Sequence, residues 1–311
     1  MRNVNLFRIR AGLCAAVMMG WSLAAAADEA SQPHFPTPEA ALDALRASLD
    51  AEDSSALVNL LGPENKDDIV GGDAAQARNV LDQARAAADR GLKLEPGEAP
   101  DTWTVVIGSR DWPLPFPLVK EAAGWRFDTE AGLDEIVDRR IGENELTAIA
   151  NMRAYVDAQV EYAGEDHDGD EVLEYAQRIL STPGKQDGLY WRTEPGQPLS
   201  PLGPLAQDDA DYTQYMEAGD SYHGYEYKVL AAQGANPPGG AYDYVINGNM
   251  IAGFGLIAWP TDYGNSGIMT FIVNHQGRVY EKDLGPDTAK IAQAIGRYDP
   301  DASWTRLTET Q

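Results

Sequence analysis

Three aspartates alternate with other residues in Glu165-Asp166-His167-Asp168-Gly169-Asp170-Glu171, so a tight turn there would aim three carboxylates at one point. Converging carboxylate oxygens are the chemistry of a hard-cation loop, and calcium is the cation they suit. Glu174 stands close enough along the chain to reach back as a further ligand. The stretch departs from the EF-hand pattern: Glu171 takes the place of the sixth-position glycine, and Gln177 that of the bidentate glutamate closing the loop. The expectation is a looser calcium site on Asp166, Asp168, Asp170 and Glu174, set against a merely solvated acidic turn.

Other reactive types are sparse. His34, His167, His223 and His275 are the only side chains with an ordinary pKa near neutrality. His34 falls in a Pro-rich lead and His275 in an expected turn, while His223 neighbours Tyr222 and Tyr225 at the start of a strand. Ser266 in Gly264-Asn265-Ser266-Gly267 lacks the strand-to-helix setting of a nucleophile elbow and reads as a turn. Gly253-Phe254-Gly255 and the glycines from Gly234 to Gly240 lack it too, so they read as turns and close strand packing rather than a nucleotide site. No catalytic constellation emerges. Aromatics crowd the second half, among them Tyr190, Trp191, Tyr222, Tyr225, Tyr227 and Tyr244. They fit strand packing, and an exposed tyrosine-rich patch among them would suit glycan or protein contact.

Composition narrows the setting. The 311 residues hold 24 basic and 49 acidic side chains, a net charge of -25 that disfavours nucleic acid as a partner. Arg2, Arg8 and Arg10 precede an apolar run from Ala11 to Ala26, and Ala24 to Ala27 offer a cleavage site before the acids begin at Asp28. That is the pattern of a cleaved signal peptide over residues 1–27. The run is shorter than the ~20 residues of a spanning helix, so no integral membrane segment is expected after cleavage. The single cysteine, Cys14, follows Leu13 early in that run, which does not fit lipid anchoring; the mature chain has no thiol for a disulfide. The expected setting is the periplasm or the outside of the cell, and the expected partner another envelope protein.

The elements that must position these residues follow from periodicity. Thr37 and Pro38 open a helix, Ala56 to Leu61 form a second ending at Gly62-Pro63, and Asp73 starts a third ending at Gly91. Strands follow, with Trp103, Val105 and Ile107 on one face of the first. From Asn144 to Ala163 a long helix shows Leu146, Ile149, Met152, Val156 and Val160 at helical spacing. A short helical piece is expected at Tyr175 to Leu180, and an ordered surface loop from Gly184 to Asp211. Antiparallel strands are expected at 222–230, 242–246, 250–259, 268–273 and 278–282, before a last helix from Asp287 to Ile295. The fold class is α+β, with a cone-like domain over 28–140 and a helix-plus-sheet domain over 141–311.

Several stretches carry a resemblance in order along nearly the whole mature chain. They include Trp112-Pro113-Leu114-Pro115-Phe116-Pro117, Gly124-Trp125-Arg126-Phe127-Asp128, Arg139-Arg140-Ile141-Gly142-Glu143-Asn144-Glu145-Leu146, Asp187-Gly188-Leu189-Tyr190-Trp191 and Tyr280-Glu281-Lys282-Asp283-Leu284-Gly285. On these the chain resembles the bacterial family known as domain of unknown function 2950, which implies no activity. The second half is also similar to the globular part of type IV pilins and pseudopilins, through Asn144-Glu145 opening a long helix, Gly224-Tyr225-Glu226-Tyr227 and the hairpin from Phe271 to Tyr280. The apolar membrane half of a pilin helix is replaced here by Asp134, Glu135, Asp138, Arg139 and Arg140. The first half resembles cones of the nuclear transport factor two-like kind. Such cones serve as both enzymes and inert modules, and the long helix joined to an antiparallel sheet without recognisable catalytic residues points to a non-enzymatic interaction or assembly module. The alternative is an enzyme or small-ligand binder whose pocket Trp103, Trp112, Phe116 and Trp125 would line in the first domain.

Overall fold

Thr37 is the N-cap of helix α1 (Pro38–Asp50): its hydroxyl accepts from Ala40 N at 3.2 Å, and Pro38 needs no partner for a missing N–H. The computed structural model describes residues 32–308 apart from 52–53, 67–68, 70–73, 195 and 209–220. The expected signal peptide and the helix start at Asp73 therefore lie outside the described residues. Helix α1 buries Ala41, Leu45 and Leu49, one face at helical spacing. Helix α2 (Ser55–Leu61) stops at Gly62, whose φ of 124° only glycine takes without strain. Helix α3 (Ala74–Arg90) sends Arg85 to the Leu49 and Ala51 carbonyls and so satisfies the open end of α1.

Strands β1 (Leu92–Pro96), β2 (Thr102–Ile107), β3 (Trp112–Pro113), β4 (Leu118–Glu121) and β5 (Gly124–Phe127) form an antiparallel sheet in the order β1-β2-β4-β5, with β3 also on β2. In β2 the expected alternation gives way at its far end, where Val105, Val106 and Ile107 are all buried. The chain divides into two compact units, one reaching to Trp112 and resuming at Leu118–Phe127, the other holding Pro113–Pro117 and everything from Asp128 onward. The expected boundary after residue 140 falls inside a helix of the second unit.

That helix, α4 (Thr129–Tyr162), has 34 residues rather than the expected 20, and spans about 51 Å. Asp128 caps it by accepting from Ala131 N, and Phe116 lies where a Cβ on Gly132 would sit. Its buried face in the second half is Ala148, Met152, Tyr155, Ala158, Gln159 and Tyr162; of the expected stripe, Met152 is buried and Ile149 and Val156 pack partly buried against the core, whereas Leu146 is 69% and Val160 62% exposed. Next come α5 (Gly203–Asp208), β6 (Tyr225–Leu230), β7 (Ala232–Gln233), β8 (Tyr242–Asp243), β9 (Val245–Ile246), β10 (Asn249–Met250), β11 (Gly255–Pro260), β12 (Met269–Asn274), β13 (Tyr280–Asp283), α6 (Thr288–Ala294) and β14 (Thr305–Arg306). Asn247 and Gly248 join β9 to β10 with φ values of 55° and 100°, as a two-residue hairpin turn requires.

The main sheet runs β14-β13-β12-β11-β6, antiparallel throughout. Alternate residues of β11 feed two cores: Leu256 and Ala258 pack with Met152 and Tyr155 of α4, while Ile257 and Trp259 pack with Ala292 of α6. Burial on both faces explains why β11 reads as one apolar run in the sequence. Among the described residues no helix is long and apolar enough to cross a membrane.

Candidate functional site: an aromatic groove beside an acidic loop

The last turn of α4 begins the site. Gln159 is fully buried, donates to the Ala176 carbonyl at 2.8 Å and accepts from Ala176 N at 2.8 Å, a clamp that pairs the returning chain as a strand would. It also donates to the Tyr155 hydroxyl at 2.9 Å. The returning chain is extended, which corrects the expected short helix at Tyr175 to Leu180. The physical reason is the β9–β10 hairpin alongside. Glu174 Oε2 accepts from Met250 N, Tyr175 N donates to the Met250 carbonyl, both at 2.8 Å, and Gln177 donates to the Gly248 carbonyl.

Between α4 and this strap lies the acidic loop. Asp166 accepts from Gly169 N at 2.7 Å, Glu171 N at 2.9 Å and Asp168 N at 3.3 Å. Those bonds, Gly169 foremost, hold its carboxyl below the usual carboxylate range. Asp168 accepts from Asp170 N, and Asp170 from Val172 N and from Asn249 Nδ2. One carboxylate oxygen from each of Asp166, Asp168 and Asp170 lies within 4.8 Å of the others, all exposed. Glu174 is outside that cluster, its Oε2 engaged by Met250 N. Glu171 has a φ of 67°, so this glutamate takes the left-handed backbone that glycine provides at the sixth position of calcium loops.

His167 points the other way from these acids in what it touches. Its ring stacks on Tyr162 with centroids 4.0 Å apart and planes 21° from parallel, its Nε2 donates to the Tyr162 carbonyl at 3.0 Å, and Trp191 follows at 5.7 Å. These three rings line an open groove of about 850 Å³. Ligand sites commonly run to about 300–1,000 Å³. Its remaining walls come from 180–186, 190–193, 197–199 and 201, with Lys185, Arg192, Glu161 and Glu165 among the lining groups.

The far wall is held by short bridges. Ser181 N donates to the Tyr190 carbonyl and Tyr190 N to the Ile179 carbonyl, at 2.9 and 2.8 Å. Gly188 must be glycine, because a Cβ would lie 2.8 Å from Ser181 N. Burial works against the Asp187 carboxylate, yet bonds from Thr182 N at 2.7 Å and Thr182 Oγ1 at 2.8 Å, with Arg178 at 3.9 Å, leave its pKa below the ordinary value. Tyr162 donates to the Gln186 carbonyl at 2.9 Å, and burial, then the charges of Glu174, Asp187 and Asp168, push its pKa up to about 12.

The other expected residues stand elsewhere. His34 faces Glu121 at 3.2 Å, His223 sits at a φ of 47° edge-on to Tyr222, and His275 packs edge-on to Tyr244 and Phe254. Ser266 donates to the Gly224 carbonyl within the turn after β11. Asn144 and Glu145 tie α4 to that turn: Asn144 donates to Ser266 O, and Glu145 accepts from Ile268 N and Met269 N, all at 2.9 Å. Of the four aromatics expected around a first-domain pocket, Trp112 is 58% exposed, Phe116 belongs to the second unit, and Trp125 is bridged to Phe35 through two backbone bonds of 2.7 Å. The sequence did mark the groove indirectly, in Tyr190-Trp191 set within a polar Pro- and Gly-rich stretch.

The fold is mixed α+β, and the groove lies in its second unit beside the acidic loop. Residues 32–307 match the family described as "Protein of unknown function (DUF2950)", and the chain belongs to that family. No curated protein and no solved structure matches it, so the pilin likeness of the second half has no structural neighbour behind it.

Proposed function

We propose that this protein is an exported envelope protein acting as a non-enzymatic binding module, which holds a glycan chain in the groove and uses calcium on Asp166, Asp168 and Asp170 to fix one wall. The observation that carries the reading is the stack of His167 on Tyr162 beside Trp191, because it is Asp166 and Asp168 that flank His167 in the chain. Aromatic faces take the apolar faces of sugar rings, and the polar rim from Lys185 to Gln197 takes their hydroxyls. Binding rather than reaction is favoured because three hydroxyls along the wall are spent on holding it: Tyr162 on Gln186, Ser181 on Gly188 and Thr182 on Asp187. Glu174 ties the strap to Met250 of the β9–β10 hairpin, whose Asn249 donates to Asp170 of the loop. The pilin-like reading is supported by the second half of α4 packing on β11 and β12, and the charge from Asp134 to Glu145 fits a soluble rather than a fibre-forming use of that helix.

The test is calorimetric titration with a panel of soluble oligosaccharides, neutral, N-acetylated and anionic, in calcium and in chelator. Wild type should bind at least one class, more tightly with calcium, and Trp191→Ala should weaken it about tenfold. Binding to none of them, or equal binding by Trp191→Ala, overturns the reading. Export is tested separately by the mass of the product recovered outside the cytoplasm, which should begin at Asp28.

A further inference from the structure

A second site lies on the sheet side of the same unit. Arg153 of α4, Arg278 of the turn between β12 and β13, and Arg306 of edge strand β14 line one polar cavity of about 170 Å³ with Gln276 and Gly277. The backbone fixes this convergence. Leu307 N donates to the Val279 carbonyl at 3.0 Å, setting Arg306 beside Arg278, and the Gly277 turn lies over Val156, one turn along α4 from Arg153.

In a chain with 49 acids and 24 bases, Arg85, Arg126, Arg139, Arg178 and Arg297 each meet a carboxylate. Among the described residues, the side chains of Arg153, Arg278 and Arg306 have no carboxylate within 4.0 Å and no hydrogen bond. Three like charges around one small space repel each other unless an anion joins them. Planar guanidinium forks match a tetrahedral oxyanion bidentately, and three of them over-compensate a single carboxylate but suit a dianion.

We propose that Arg153, Arg278 and Arg306 bind a dianionic phosphate group, carried by a soluble molecule or by a lipid headgroup. The net charge of the chain opposes approach at low ionic strength, whereas at 0.1 M salt the field beyond about 10 Å is screened and the local cluster dominates. The experiment titrates the full chain from Asp28 with inorganic phosphate at that salt, and in parallel sediments it with phosphatidic acid vesicles and with phosphatidylcholine vesicles. Binding should weaken about tenfold in Arg278→Gln and in Arg306→Gln, the loss of one charge-assisted contact, and stay unchanged in Arg110→Gln. All three side chains are exposed, so melting without phosphate should not move and misfolding is not confused with lost binding. Binding of free phosphate assigns a soluble ligand, and sedimentation with phosphatidic acid vesicles alone assigns a lipid headgroup. Failure of both, or wild-type binding in the two variants, overturns the proposal.

Discussion

The main sheet of the second unit and the groove wall over residues 164–194 and 196–201 are held by different means. In the sheet, backbone ladders do the work, and both faces of β11 and β12 are buried under side chains of α4 and α6. In the wall, the backbone makes short bridges such as Ser181 to Tyr190 and Tyr175 to Met250, and side-chain clamps extend them: Gln159 on Ala176, Asp166 on its own turn, Glu174 on Met250 and Asp187 on Thr182. A ladder fixes shape for any sequence that can pleat, whereas side-chain clamps fix it residue by residue. The wall can therefore take an irregular, ligand-shaped outline, and it can be loosened without losing the sheet.

Calcium offers the largest test of that contrast. At a hundredfold excess over its dissociation constant it should stabilise the fold by about 2.7 kcal/mol, readable as a rise in melting temperature. Magnesium should do less, and Asp168→Asn should lose the effect. Equal melting in calcium, magnesium and chelator would leave the wall as a plain solvated loop.

Next in size is Gln159→Leu, which strips Ala176 N and O of their partner at a cost of about 1–3 kcal/mol. Amide exchange should quicken from Ala176 to Tyr190 while β11 and β12 stay protected. Equal loss in both regions would break the comparison. Glu171→Gly works in the opposite direction. Relief of the left-handed strain, less the added freedom of glycine in the unfolded chain, should stabilise by about 1 kcal/mol in urea unfolding. A loss instead would mean that the Glu171 side chain, not its backbone, matters.

The smallest effect concerns pH. Tyr162 titrates at about 12 in the folded chain against 10.0 for the free side chain, so its neutral form is favoured by folding. That contribution is complete below pH 10 and fades as pH climbs from 10 towards 12. Tyr162→Phe should flatten stability over that window in alkaline unfolding curves, and an unchanged slope would place the titration elsewhere.

Local signals made part of this legible. Thr37-Pro38 marked α1, Asn247-Gly248 marked the β9–β10 hairpin, and the apolar periods placed β6, β12 and α6 within a few residues. The start of α4 was missed because Gly132, Gly142 and a dense run of charges hide the apolar period, although Asp128 before Thr129-Glu130 is a cap signature. Its buried face was misplaced by about one residue, since Leu146 and Val160 are exposed while Gln159 is buried by its clamp. The strap at Tyr175 to Leu180 owes its extended form to the distant hairpin, which no local pattern reports. Likewise the three aspartates were readable from spacing, but the stack of His167 on Tyr162 and Trp191 depends on contacts between residues 162 and 191 that only the fold brings together.

The central claim, that the Tyr162–His167–Trp191 groove is the binding surface, is tested most directly by the tryptophan indole N–H resonances in proton–nitrogen correlation spectra during oligosaccharide titration. Trp191 should shift progressively and saturate, while Trp259 in the second core and Trp125 in the first unit stay in place. A still Trp191 signal, or equal movement of all three, would contradict the account.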